Sequence, residues 1–518
     1  MNLTRRELTK GGLASLGFLM LGDTGLFAAP KEWTPRKAPN LVFGVISDTH
    51  MRTHYDGVSF YSHYENVLDD AAVRAVFKYF RGERVDAVVH CGDLTDRGII
   101  RTVELYKKAW DSVFKGGKKP VHLYATGNHD VETGYNGWAA AIARSDNPDD
   151  YRKLCFGHNL KETMERLWGE PFEDVWHKTV KGYHFFGMGW GLSPDDLTPA
   201  YHGKLYRDSP MEGRSCSRFI HKGLWMSELV RREREAGRLD PSRPFFAVYH
   251  CSIPRYDGAG VIHGHLREAL GLSSGAYCNG LGLFGHGHRS NADWYFFWNR
   301  GAAFPALECS SLAYWKDHGG EGEKPLFAQG VGDSTAEGGD RNMTHALLFR
   351  VYDDVTAIRR IWVETRPKTR LARLGPDLVV PLSGFTPGSH PLLSEHLVGS
   401  DEKPEFLRGA KLEVADIGDV LRLKIPKACG NARARVYGYN VEVSSPGNAV
   451  KLKKSVYANG YSCGDGCEPD RGVTVLSIPK SELPPGKTLA ITVHPSSCLA
   501  SKGKPVTAIF NTVTGAVR

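Results

Sequence analysis

The sequence predicts an α/β fold followed by a smaller all-β sandwich, and three patterns carry that reading. From Leu41 onward, short apolar runs alternate with segments of helical period. Each of five such runs is followed at once by polar residues. After about Thr365 the helical period gives way to Pro-punctuated and strand-like segments.

Taken in order, residues 41–46, 87–89, 121–125, 245–249 and 281–284 read as buried strands. Between the first three, Leu68, Ala72, Ala75 and Tyr79, then Val103, Tyr106, Trp110 and Val113, recur at three and four residues, as amphipathic helices require. The long stretch from Asp130 to Arg243 holds a strand-like segment at 183–188 and a helical one at 223–235. It reads as insertions that wall or cap a pocket, with a separately folding unit as the alternative. Pro367, Pro376, Pro381, Pro387 and Pro391 mark a linker over 366–396. Beyond it, 421–425, 439–443 and 490–493 predict strands of a sandwich spanning 397–518.

Composition narrows the class. With 518 residues, 41% hydrophobic and 24% charged, the chain has enough apolar material for more than one globular core. A net charge of +8 on 66 basic and 58 acidic residues, with no long run of like charge, gives no nucleic-acid stripe, so no nucleic-acid partner is predicted.

At the start of the chain, Arg5-Arg6 precede an apolar segment and a small-residue stretch ending at Ala28-Ala29-Pro30, an order that resembles a twin-arginine export signal. The uninterrupted apolar part is about ten residues, against roughly twenty needed to cross a bilayer. The reading is a signal peptide over 1–29, transient engagement of the twin-arginine machinery, a periplasmic or otherwise exported product and no transmembrane segment in the mature chain. An uncleaved anchor is the alternative, because the Ala28 and Ala29 sites lack a clean Ala-x-Ala. Ten cysteines suit an oxidising destination. Cys429, Cys463, Cys467 and Cys498 would admit two bridges, while Cys463 and Cys467 lack the second close pair that a thiolate zinc site needs.

The residues that follow the strands form an ordered set: Asp48-Thr49-His50, Gly92-Asp93, Gly127-Asn128-His129-Asp130, His250, and Gly285-His286-Gly287-His288. In open α/β sheets ligands bind beyond the carboxyl ends of strands, where loops converge. Carboxylate, amide and imidazole groups without thiolates suit borderline divalent or trivalent cations. Two such cations neutralise a phosphoryl transition state and make water nucleophilic near neutral pH.

Over roughly residues 40 to 365 this set resembles the calcineurin-like metallophosphoesterase superfamily. The resemblance implies a domain over 38–365, a two-sheet β-sandwich core flanked by helices, and two metal ions whose identity (Mn, Fe or Zn) stays open. It also implies hydrolysis of a small phosphorylated substrate, a phosphomonoester or phosphodiester. Carried over, Asp48, His50 and His288 would hold one ion and Asn128, His250 and His286 the other, with Asp93 bridging. His129 would protonate the leaving oxygen, Asp130 would orient its ring, and Arg97 would clamp phosphate as a planar fork. Asp96 stands where purple acid phosphatases carry Tyr, which disfavours a charge-transfer iron site. Gly92-Asp93-Leu94-Thr95-Asp96-Arg97-Gly98 is close to protein serine/threonine phosphatases, whose Gly-Asn-His-Glu differs from the block here. Bacterial cyclic-nucleotide phosphodiesterases share Gly-Asn-His-Asp. His263-Gly264-His265 is assigned at most to the pocket rim, and His90 and Cys91 to supporting or core positions. A metal-containing binding protein whose sandwich docks a glycan or surface partner is the competing function.

Overall fold

Apolar on both faces of its pleat, Leu41–Ile46 can persist as a strand only if covered on both sides, and this strand, β1, is covered on both. The computed structural model describes residues 35, 37–51, 71–96, 98–131, 156, 159–190, 217–240, 243–253, 260–272, 278–288, 296–297, 303–313, 343–364, 369–374, 377–381, 403–429, 436–445, 451–458, 473–497 and 502–517. The segment 1–29, read above as a signal peptide, and Arg97 lie outside the described residues.

The strands that build the core are, in chain order, β2 (Ala87–His90), β3 (Val121–Tyr124), β4 (Val175–Val180), β5 (Tyr183–Met188), β6 (Phe245–Val248), β7 (Gly280–Phe284), β8 (Phe296–Phe297), β9 (Ala306–Glu308), β10 (Met343–Val351), β11 (Val355–Glu364), β12 (Arg370–Arg373) and β13 (Leu378–Pro381). The helices are α1 (Ala71–Gly82), α2 (Ile100–Val113), α3 (Asn128–Val131), α4 (Leu160–Trp168), α5 (Ser217–Glu235) and α6 (Val261–Leu270). One sheet runs β12-β11-β10-β1-β2-β3, with β13 also on β11, and the other runs β4-β5-β6-β7-β9-β8.

The two sheets share one core. Phe43, Val45, Val89 and Leu123 of the first meet Phe185, Phe246, Val248 and Leu283 of the second. Phe43 is the pivot: its ring lies 4.6 Å from that of Phe349 in its own sheet, and 4.7 and 5.3 Å from Phe246 and Phe185 across the gap. Such aromatic pairs are each worth about 0.5–1.5 kcal/mol beyond the area they bury. Helices cover the outer faces. Val73, Val76, Phe77 and Phe80 of α1 and Val103, Tyr106 and Trp110 of α2 lie on the first sheet. Ile220, Met226 and Val230 of α5 and Ile262 and Leu266 of α6 lie on the second. The order of layers is therefore helix, sheet, sheet, helix.

Several expectations are corrected. The buried stripe of α1 is Ala72, Val73, Val76, Phe77 and Phe80, while Ala75 and Tyr79 are only half-buried, because the two phenylalanines claim the core-facing side. The described parts of the 130–243 stretch are not a cap. β4 and β5 join the second sheet, β5 parallel to β6, and α5 covers that sheet. Part of the predicted linker is also sheet: β12 and β13 pair antiparallel with β11, and Leu374, Leu378 and Val380 are buried there. His263 falls in the first turn of α6 and His265 just past it; His263 is buried with its ring against Phe304, while His265 is exposed.

Beyond residue 403 the described residues form strands and one short 3-10 turn. Glu413–Ile417, Val420–Ile425 and Thr474–Pro479 make one sheet, and Lys451–Tyr457, Val436–Ser444, Thr488–Ser497 and Val506–Asn511 another. Leu421, Leu423 and Ile478 of the first share a core with Val441, Val443, Leu489 and Ile491 of the second. Tyr439 packs in this core, its hydroxyl accepting the backbone N–H of Ala428. Among the described cysteines, Cys91, Cys278 and Cys309 are buried free thiols, Cys251 is buried and Cys429 is exposed; Cys463, Cys467 and Cys498 lie outside the described residues. Among the described residues no helix is long and apolar enough to cross a membrane.

Candidate metal centre

Because β1, β2 and β3 are parallel, and β5, β6, β7 and β9 likewise, their carboxyl ends open on the same edge of the sandwich. The loops leaving them are tied by backbone bonds before any side chain acts. Asp48 and His50 donate their N–H groups to the carbonyls of Gly92 and Asp93 at 2.9 and 3.0 Å, and Gly285 donates to His250 at 2.9 Å.

Asp48, His50, Asp93 and His288 come together as four buried side chains whose donor atoms all lie within 4.8 Å of one another. Nε2 of His288 is 2.9 Å from Oδ1 of Asp48 and 3.1 Å from Nε2 of His50. Asp93 also faces the other group: Nε2 of His250 lies 3.1 Å from its Oδ2 and 3.0 Å from Oδ1 of Asn128, and Nδ1 of His286 lies 2.9 Å from that same amide oxygen. All seven predicted ligand residues thus converge, with Asp93 reaching both His50, at 3.7 Å, and His250.

The backbone bends to achieve this. Asp48, His50, Asp93, His286 and His288 all have positive φ, between 39° and 68°, a region that costs a non-glycine residue on the order of 1–3 kcal/mol. Strain of this kind persists only where the surrounding structure over-determines it, here through the loop-to-loop bonds. Two glycines make room: a side chain on Gly127 would collide with the backbone and carboxylate of Asp93, and one on Gly92, whose φ is +98°, would collide with the His250 ring.

The electrostatics suit a cation. Burial alone would raise Asp48 and Asp93, but the histidines facing them overcome it and hold both carboxyls well below the ordinary range. Burial would lower His50 and His250, but Asp48, Asp96 and Asp93 around His50 raise it to about 10, and Asp93 raises His250 to about 9. His286 goes the other way, to about 3, through burial and the charge of His250. Two buried carboxylates therefore draw positive charge into a space lined by imidazole nitrogens and an amide oxygen. The donor set fits bound cations of borderline character.

The groups behind these donors are equally specific. Nδ1 of His250 donates to the carbonyl of Cys91 at 2.8 Å, which leaves Nε2 as the nitrogen that faces the centre, where a cation would take the place of its proton. The carboxylate of Asp48 accepts the hydroxyl of Ser47 and the backbone N–H of His286 at 3.0 Å. His90 is a tie. The Thr49 hydroxyl donates to Leu94 O at 2.8 Å and so can only accept from Nε2 of His90, at 3.1 Å, while Nδ1 accepts the Gly92 N–H. Burial keeps that ring neutral by pushing it down to about 3, as this arrangement requires.

His129 sits at the edge of the group, its ring 4.6 Å from that of His50, and its backbone N–H donates to Oδ1 of Asp93 at 2.8 Å. The expected orienting role of Asp130 is corrected. Its carboxylate accepts the N–H groups of Gly127 at 2.8 Å and Thr95 at 2.9 Å, and the Tyr124 hydroxyl at 2.8 Å. Asp130 braces the Asp93 loop against the Asn128 turn. The His129 ring is held instead by the backbone carbonyl of Asp96, which accepts from Nδ1 at 3.0 Å. Asp96 is the residue that sequence reasoning missed: its Oδ1 lies 3.2 Å from Nδ1 of His50. A carboxylate three residues after the central Asp93 was the available signal.

Comparison with known proteins follows the same line. A search among curated proteins found no match. Among solved structures, the chain is similar to Vps29 of Chaetomium thermophilum at 10% identity, over 66% of this chain and all of that one, with a TM-score of 0.27. That score is too low for the likeness to bear on fold or function. Residues 41–290, the span that carries every candidate ligand position described above, match the family of calcineurin-like phosphoesterases.

Proposed function

We propose that this chain is a calcineurin-like phosphoesterase that hydrolyses phosphate esters with two bound metal ions, and that it acts outside the cytoplasm after export through its twin-arginine-type segment. The observation that carries the catalytic reading is Asp93, a buried carboxylate placed between the Asp48, His50 and His288 group and the Asn128, His250 and His286 group. A shared carboxylate is what allows two like charges to be held close together. Bound there, the cations would supply Lewis acidity to the phosphoryl oxygens and a lowered pKa to water.

The chain's own residues do the rest. Asp48, His50 and His288 on one side, and Asn128, His250 and His286 on the other, hold their donor atoms at one edge of the sandwich and so fix where a phosphate can sit. The Nδ1 proton of His129 is committed to Asp96 O, so a proton passed to a leaving oxygen travels by Nε2. Arg97 stays in this proposal as the phosphate clamp, one residue past Asp96 in the sequence.

The test is hydrolysis of nitrophenyl phosphate and of its bis ester by protein whose metal content has been counted, with His129→Ala as the control. Two metals per chain and a rate lost in the variant support the proposal. Metal-loaded protein that cleaves neither ester rejects it, and the ratio of the two rates separates monoesterase from diesterase.

A further inference from the structure

A second cluster of ligating side chains lies away from this centre, where the β4–β5 hairpin meets the end of α5. His177 of β4, His184 of β5 and Glu233 of α5 offer ligand atoms that lie within 4.8 Å of one another. The two histidines are diagonal neighbours across the hairpin, since His177 pairs with Phe186 and His184 with Thr179. Nε2 of His177 is 2.9 Å from Nδ1 of His184, with the ring planes 5° apart. Nδ1 of His177 is 3.7 Å from Oε1 of Glu233.

We infer that His177, His184 and Glu233 form a third cation site, for a borderline divalent ion such as zinc, that pins the edge of the second sheet to α5. The tautomer and orientation of His184 are already set for it. Nε2–H of His184 donates to the backbone carbonyl of Arg238 at 3.0 Å, so Nδ1 carries its lone pair toward His177. A backbone carbonyl that fixes the outer nitrogen of a ligating histidine is a recurrent feature of metal sites, and His250 with Cys91 shows it in the centre described above. The His177 ring lies flat on Phe186, 4.6 Å between centroids and 16° between planes.

Burial lowers both histidines below their ordinary value, which favours the neutral form that binds metal. The side chains of His177 and Glu233 are 19% and 14% exposed, so an ion can enter from solvent. Metal–nitrogen bonds of about 2.0–2.1 Å ask the two nitrogens to part slightly from their present distance. On entry of the ion, Nε2 of His177 gives its proton to solvent and Nδ1, the nitrogen that faces Glu233, takes one up from solvent, so that the ring reaches its neutral Nδ1–H tautomer. Arg238 grips the Glu233 carboxylate with two bonds of 2.7 Å, so the ion competes with that pairing for one oxygen while the other stays with the guanidinium. Two imidazoles and one carboxylate leave a fourth position for water.

The test is a zinc count by elemental analysis, after desalting, on the full chain and on His177→Phe and His184→Gln. Phenylalanine keeps the stack on Phe186, and glutamine keeps a donor near Arg238 O while deleting the nitrogen that faces His177. The expected result is one zinc fewer per chain in each variant, with the circular dichroism spectrum unchanged. Equal zinc in all three proteins overturns the inference. Because the readout is a difference, it holds whether the phosphoesterase centre is full or empty. Cobalt in place of zinc should give a tetrahedral visible band whose intensity falls by the same one equivalent.

Discussion

The carboxylate of Asp96 stands 3.2 Å from Nδ1 of His50, while the backbone carbonyl of the same residue holds Nδ1 of His129 at 3.0 Å. One residue therefore orients a metal-facing ring with its side chain and the proposed proton donor with its main chain. Asp96→Asn should weaken metal binding by about 10–100-fold, the usual cost of losing a carboxylate behind a ligating histidine. The tie to His129 survives the change, so excess metal should restore turnover to Asp96→Asn and not to His129→Ala. Competition titration with a chromophoric chelator gives the affinity, and an unaltered affinity would falsify the role.

Asp130 predicts a different phenotype. Its oxygens accept from Gly127, Thr95 and Tyr124, so Asp130→Asn sets an amide donor among donors. A charged acceptor is worth about 1.5–3 kcal/mol per hydrogen bond, and a stability loss of at least about 2 kcal/mol is expected from urea denaturation. Were the residue an orienter of His129 instead, kcat would fall with stability unchanged.

Lys222 is fully buried on α5 and paired with Asp174, whose other oxygen accepts the hydroxyl of Thr126 at 3.0 Å, just before Gly127-Asn128. Removing only one member of such a pair strands a charge. Lys222→Met should cost about 3–5 kcal/mol, and adding Asp174→Asn should recover part of it. Denaturant midpoints for the two single variants and the double variant decide the matter; simple additivity would mean that the pair is not coupled.

Two buried histidines away from the centre set an acid limit. Burial holds His122 well below its ordinary value, with its ring on Trp168 and Nε2 near the Tyr106 hydroxyl; burial and Arg267 push His263 down to about 4. The unfolded chain takes up these protons near pH 6.5 and the folded chain does so only at lower pH. The stability they confer is therefore complete above about pH 6.5 and drains away as pH falls, in the case of His263 down to about pH 4. Each histidine adds a slope of about 1.4 kcal/mol per pH unit inside its window. His122→Phe should flatten stability against pH below 6.5 by one proton; an unchanged slope contradicts the assignment.

What the sequence by itself determined is local. The strands at β1, β2, β3, β6 and β7 were legible because wholly apolar runs have one stable environment, a covered sheet. The convergence of the candidate ligand residues was legible because each follows such a run directly, and a parallel strand delivers its next residues to one edge. Tertiary structure decided the rest. That β4 and β5 extend the second sheet depends on partners far away in sequence, since β5 must find β6 across some sixty residues. Residues 370–381 resemble a linker until Leu374, Leu378 and Val380 find cover against β11. The orienting role expected of Asp130 falls to Asp96 for the same reason. Both are carboxylates near the centre, and which one meets a histidine is set by how the loops pack: Asp96 lies beside His50, while Asp130 faces backbone amides.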